Sequence, residues 1–382
     1  MPDRGHHRRC SPGVAALGGG AVHADASVNP WATGTVTQHL GGRRIVARTH
    51  APLGRCLPYR RAAGEGPEAT GGAEAVSSLG WSVVLGNRGL GDVILALALV
   101  RALGHASEHE GELRYRGPRP RLMQRCRLPM STSRSNSPHI VHSGHNEELT
   151  FHAHPEKPQA WLDVLDGEHV EAHSALPMRY YLAAEQTLGV RLPADHAPLP
   201  GFTSAERERP FHVVFVSATS WPTRKDYGAD GFALVTQVLT DQIAAPWSFT
   251  LITSRDAEPI QRPDLDILTG PNAVDCLDVF ASAEVVIGND TGLTHLAALT
   301  ERSDGTGPQV IGLYGRHAHT KWTTGADRHH AIATPFSQML AAADRCPVRD
   351  RLDDTLWSAS ADLTGIPAER IAEFATQVMG WR

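Results

Sequence analysis

Val285-Val286-Ile287-Gly288-Asn289-Asp290-Thr291-Gly292-Leu293-Thr294-His295 reads as a short β-branched strand that passes through glycine and Asp-Thr-Gly into a helix starting near Leu293. A strand feeding a helix through a tight polar turn is half of a βαβ unit, so similar units should flank it. Strands are expected at 213–216, 249–253 and 310–313. Helices lie between them, with Phe232, Val235 and Leu239 on one apolar face and Val274, Leu277 and Phe280 on another. The alternation predicts a doubly wound parallel sheet. At its strand-to-helix turn the first amides of the helix lack intrahelical partners and carry the positive end of the helix dipole, which makes a cradle for a diphosphate. Thr291 adds a hydroxyl and Gly292 allows close approach to the backbone. An ordinary cap by Asp290 or Thr291 is the competing reading, and the local sequence does not separate the two.

Two further segments bear on that choice. Ser217-Ala218-Thr219-Ser220-Trp221-Pro222-Thr223-Arg224-Lys225 follows the first strand of the same pattern, at the carboxyl end where open α/β sheets bind ligands. Lys225 is the candidate point charge on a phosphate, and Thr219 and Ser220 are candidate neutral donors. A solvated turn is the alternative. Nearer the N-terminus, a strand at 82–85 runs into Gly86-Asn87-Arg88-Gly89-Leu90-Gly91-Asp92 and an apolar helix at 93–103. These glycines fit neither the dinucleotide fingerprint nor a P-loop. They leave room beside the backbone, with Gly89, Gly91 and Arg88 as cleft candidates. Asp92 is either a stabilising anion at a helix start or a carboxylate facing the cleft.

At 382 residues the chain suits two cores better than one. Charged residues at 20% and apolar ones at 41% describe a globular chain, and a net charge of −5 gives no basic footprint for nucleic acid. The five cysteines are dispersed and form no CxxC pair, which fits a reducing cytoplasm better than a disulfide framework or zinc site. No apolar signal region follows the basic N-terminus, and no run is long enough to span a bilayer. Residues 1–78, rich in Gly, Ala, Arg and Pro, read as a largely disordered extension or as residues upstream of a true start codon. A short hairpin is expected within them, where Thr35-Val36-Thr37-Gln38-His39-Leu40, Gly41-Gly42 and Ile45-Val46-Ala47 follow one another. The expected division is 79–200 for one Rossmann-like domain, 201–345 for a second, and 346–382 for a helical tail that could pack back on the first. The Pro-rich connector 192–201 marks the boundary.

Gly91-Asp92, Ala218-Thr219-Ser220 with Lys225, and the run from Gly288 to Leu299 together resemble glycosyltransferase family 9, the ADP-heptose:lipopolysaccharide heptosyltransferases. Arg179-Tyr180-Tyr181-Leu182-Ala183-Ala184-Glu185 and Leu313-Tyr314-Gly315 extend the resemblance. It implies a GT-B fold, two Rossmann-like domains facing a cleft, with acceptor in the first and nucleotide sugar in the second. It also implies an inverting transfer in which Asp92 is the base. The diphosphate would be met by Thr219, Ser220, Lys225, Asp290, Thr291 and Gly292, with His295 as a further cleft candidate. No cofactor or metal is then expected. The expected partners are a nucleotide-sugar donor, ADP-heptose above all, and a saccharide, lipid-linked saccharide or small-molecule acceptor. The expected location is cytoplasmic or peripheral to the inner face of the membrane.

The sequence departs from the family where Gly-Pro-Thr is replaced by Gly315-Arg316-His317, and where 301–307 is inserted. Asp256 and Glu258 are positional candidates for a ribose-binding acid. The arginines 114, 116, 119, 121, 125 and 127 form either a solvated basic face or a seat for an anionic acceptor. His139, His142, His145, His152 and His154 lack a completing carboxylate or thiol for a metal site, and 131–148 reads as a flexible loop. A GT-B epimerase or hydrolase is an alternative that needs no acceptor, and a non-catalytic nucleotide-sugar-binding protein is another.

Overall fold

The computed structural model describes residues 35–40, 43–48, 80–85, 89–106, 112–142, 145–151, 199–258, 260, 262–342 and 359–382. Most of 1–78, Arg88, the helix expected at 178–185, His152 and His154 lie outside them. The chain divides into two compact units, Met1–Leu53 and Gly54–Arg382. In the first, β1 (Thr35–Leu40) and β2 (Arg43–Arg48) pair antiparallel with Leu40 opposite Arg43, the hairpin expected there.

The second unit contains two main sheets. The first is built from β3 (Gly80–Leu85), helix α1 (Leu90–Ala106), β4 (Leu113–Gly117), the helical turn α2 (Pro120–Met123), β5 (Met130–Arg134), β6 (His139–His142) and β7 (His145–Phe151). Its strand order is β5-β4-β6-β3-β7. β6 runs antiparallel to both neighbours, wedged between two otherwise parallel halves. The flexible loop expected at 131–148 is therefore corrected to strands. Ser131, Ser133 and Arg134 turn outward from an edge strand, so β5 lacks the apolar run by which a buried strand is recognised.

The second sheet follows the sequence expectation closely. After the pair β8 (Phe202–Thr203) and before its partner β13 (Thr300–Glu301) come β9 (His212–Val216), α3 (Pro222–Lys225), α4 (Ala229–Gln242), β10 (Ser248–Thr253), β11 (Asp266–Thr269), α5 (Ala273–Ser282), β12 (Val285–Asn289) and α6 (Gly292–Ala298). Beyond β13 lie β14 (Gln309–Tyr314), α7 (His319–Trp322), β15 (His329–Ala333), α8 (Pro335–Ala342) and α9 (Ala368–Met379). The order β11-β10-β9-β12-β14-β15 is parallel throughout. Counted within this sheet it is 3-2-1-4-5-6, the Rossmann order, whose switch point falls between β9 and β12. The turns leaving those two strands are the 217–225 and 289–292 segments.

Helix α1 explains how the sheets are joined. Val93 to Val100 are each 1% exposed or less, so the helix is apolar on every side. One side covers the first sheet through Val83, Leu85, Tyr115 and Ile140, while the same core cluster takes in Leu277, Phe280, Leu296 and Tyr314 of the second. Each such side chain is worth roughly 1.5–3 kcal/mol of burial, so α1 contributes to both sheets at once. The tail corrects another expectation: Ile371, Ala372 and Ala375 of α9 pack with Phe232 and Val235 of α4 and with Leu313, on the second sheet and not the first.

Where the starts of α1 and α6 meet, side chains are excluded. A methyl group on Gly292 would sit 2.5 Å from the Gly91 amide nitrogen and 2.8 Å from Leu90 Cβ. Gly292→Ala is therefore expected to cost about 1–3 kcal/mol as overpacking against backbone. Gly365→Ala, with nothing within 4 Å, is the control. Thermal denaturation should show several degrees' loss for the first and little change for the second.

Candidate functional site

Asn289 ends a fully buried strand, and its side chain ties the two switch-point turns together. Nδ2 donates to Asp226 Oδ1 (2.8 Å) and to the Ser217 carbonyl (3.1 Å), while Oδ1 accepts the Tyr227 amide (3.0 Å). Asp226 Oδ1 also accepts from Ser217 Oγ (3.0 Å) and the Gly228 amide (2.9 Å). Lys225 is the last residue of α3, just before this anchor. Its ammonium lies 5.5 Å from the Trp221 ring centroid and donates to Asp290 Oδ2 at 2.9 Å.

Asp290 is the electrostatic centre. Its Oδ2 also receives Nδ1–H of His317 at 2.7 Å, and Oδ1 lies 3.8 Å from His295 Nε2. Burial alone would raise its pKa, but the charge of Lys225 and the His317 bond outweigh that and hold the carboxyl well below the usual range. It is an anion already matched by donors. Neither Asp290 nor Thr291 caps α6 with a side-chain hydrogen bond. Thr291 holds the N-cap position in extended backbone, and its carbonyl accepts the His295 amide at 3.1 Å.

Asp92 enters from the other sheet, in the first turn of α1. Burial raises its carboxyl to about 7, with Lys225 lowering it and Asp290 raising it. Gly91 sits against His295, where an added methyl would be 2.9 Å from Nδ1. The imidazole is buried, neither ring nitrogen has a hydrogen-bond partner among the described residues, and desolvation lowers its pKa. Asp92, Gly91, Lys225, Asp290, Thr291, Gly292 and His295 thus form one neighbourhood.

Other predicted residues lie differently. Thr219 is half-buried and its hydroxyl accepts the Trp221 amide at 3.2 Å, while Ser220 is exposed beside it. Gly89 begins α1 by accepting the Val93 amide at 3.3 Å. What approaches Gly292 closely here is the backbone of Gly91. Asp256 and Glu258 are exposed beyond the end of β10. The arginine cluster divides: Arg125 pairs with Asp278 (2.8 Å) and Arg127 with Glu301 (2.7 Å), which commits both to holding the fold, whereas Arg114 and Arg116 face solvent on β4. The 301–307 insertion precedes β14, at the sheet end away from the site, and Arg302 pins it to the carbonyls of Ala281 and Ala283. Among the described residues no group of three His, Cys, Asp or Glu is set to hold a metal ion.

Sequence reasoning missed Asn289, Asp226 and His317 as site residues. A polar residue closing a buried β-branched strand was the available sign for Asn289. His317 was visible only as a departure from a family motif.

Residues 176–349 match the model of glycosyltransferase family 9 (heptosyltransferase). Solved structures similar to the chain include E. coli ADP-heptose lps heptosyltransferase II (13% identity, 78% of this chain and 98% of that chain, TM-score 0.47). E. coli heptosyltransferase WaaC with ADP is another (12%, 78% and 99%, TM-score 0.49). A glycosyl transferase family 9 protein from Veillonella parvula is a third (13%, 78% and 96%, TM-score 0.47). All three scores are below 0.5. No curated protein matches the chain.

The buried carboxyl of Asp92 has a thermodynamic consequence. Because its folded-state value of about 7 lies above the ordinary 3.8, the ionised form opposes folding. This contribution to stability is present below the unfolded pKa and is lost as pH rises through about 7. Asp92→Asn should match the parent most closely near pH 4 and exceed it at pH 8, by no more than about 4 kcal/mol for a three-unit shift. Denaturant titrations at both pH values measure the difference.

Proposed function

We propose that this chain is an inverting, metal-independent glycosyltransferase that moves a heptose from a nucleoside-diphosphate donor to a hydroxyl of a saccharide acceptor. The observation that carries this reading is the meeting of Asp92, from the first sheet, with the Lys225–Asp290 ion pair at the Rossmann switch point of the second. A base and a cation suited to a leaving diphosphate then share one buried site. The heptose follows from the family description.

In the proposed reaction the Asp92 carboxylate takes the acceptor hydroxyl proton as its oxygen forms a bond to the anomeric carbon. The bond from that carbon to the diphosphate breaks on the opposite face, and its electron pair stays on the phosphate oxygen. Lys225 meets the new charge, with the Thr219 and Ser220 hydroxyls and the Thr291 and Gly292 amides as neutral donors. Asp290 is itself an anion, so it anchors Lys225 before the donor binds and does not touch phosphate.

A carboxyl raised to about 7 suits a base working at neutral pH. The rate of transfer should rise with pH and level off above about 7, because only ionised Asp92 accepts the proton. Asp92→Ala should abolish transfer while retaining binding of the nucleoside diphosphate by calorimetry. Lys225→Ala should cut kcat by on the order of a hundredfold or more, the usual cost of one leaving-group donor. Activity should survive EDTA treatment; restoration by an added divalent ion after its loss would overturn the metal-independent part. Transfer undiminished in Asp92→Ala would overturn the assignment of the base.

A further inference from the structure

Lys225 poses a problem that the transfer reaction does not solve by itself. Its ammonium is bound to Asp290, yet the proposed chemistry asks it to turn to a phosphate. Asp290 is buried and ionised, and a buried carboxylate deprived of its partner is strongly unfavourable. Left alone, the pair would hold the lysine back.

His317 supplies the missing partner. Its Nδ1 is 2.7 Å from Oδ2 of Asp290, the oxygen that Lys225 also uses, and against a carboxylate this nitrogen must carry the hydrogen. The residue is only 7% exposed. Its carbonyl accepts Ser337 Oγ of α8 at 2.6 Å, and its ring lies 5.5 Å from that of Trp322 and 6.5 Å from that of Trp221. The ring is thus fixed from the backbone and from two aromatic neighbours.

We infer that His317 is a positioning residue that holds the Asp290 carboxylate through Nδ1–H, so that Lys225 can exchange Asp290 for the leaving diphosphate. The inference rests on the glycosyltransferase reading above and names the part that reading leaves out. With His317 present, Asp290 keeps a donor on Oδ2 throughout. Without it, the carboxylate binds Lys225 as its main partner, and the lysine's release costs the transition state.

The test is steady-state kinetics of full-length His317→Ala, His317→Asn and His317→Gln, with thermal denaturation and calorimetric binding of ADP alongside. An asparagine amide can stand at the Nδ1 position, whereas glutamine reaches the Nε2 position. The Ala variant should lose kcat by on the order of tenfold to a hundredfold, the worth of one hydrogen bond to a charged group, with a much smaller change in donor KM. Asn should restore most of that loss and Gln should not. If Ala fails to fold, the Asn and Gln pair still decides: equal activities overturn the inference. So does an Ala variant with unaltered kcat, or one whose loss of activity only follows its loss of stability. A wild-type protein that neither binds ADP nor transfers sugar overturns the transferase reading and this inference with it. A transferring wild type matched by His317→Ala overturns the inference alone.

Discussion

The close approach of Gly91 to Gly292 is the constraint on which the rest of the molecule depends. Two helix starts, one from each sheet, meet there because Gly292 carries no Cβ against the Gly91 backbone, while Gly91 carries none against the His295 ring. That contact lets α1 lie between the sheets with both sides buried, so residues of both sheets share one hydrophobic cluster. It also brings Asp92, one position beyond Gly91, near Asp290 and Lys225. Packing and chemistry therefore use the same two glycines.

The charges at this junction are organised by unequal desolvation. Asp290 has Lys225 and His317 on one oxygen and stays ionised in spite of burial. Among the described residues Asp92 makes no comparable set of bonds, so burial prevails and its proton is held to about 7. Two carboxyl groups with different surroundings thus acquire different tasks, one fixing a cation and the other exchanging a proton. Asn289 and Asp226 add mechanical support. Their bonds to the 217–228 turn keep Lys225 from drifting away from β12.

Much of the second sheet was legible because its strands are buried on both faces and read as continuous β-branched runs, such as 213–216 and 285–287. The position of Lys225 and Asp290 at strand ends followed from the same pattern. The first sheet was harder. β5 carries serines and arginine on its outer face, and β6 is a four-residue strand flanked by histidines, so neither gives an apolar period long enough to recognise. The all-round apolarity of α1 announced a buried helix without revealing that its second partner lay some 200 positions away in sequence. His317 and Asp226 were illegible for a related reason. Their roles come from contacts with Asp290 and Asn289 made across a folded sheet, and no local spacing encodes them. The tail helix was expected from the sequence, yet the surface it covers was decided by α4 and Leu313.

The most direct measurement is a crystal structure of the wild-type protein with bound ADP. The account predicts the terminal phosphate between the turns that leave β9 and β12, with Lys225 Nζ bonded to it and His317 still on Asp290. A diphosphate bound elsewhere, or one seated there while Lys225 points away from it, would contradict the account.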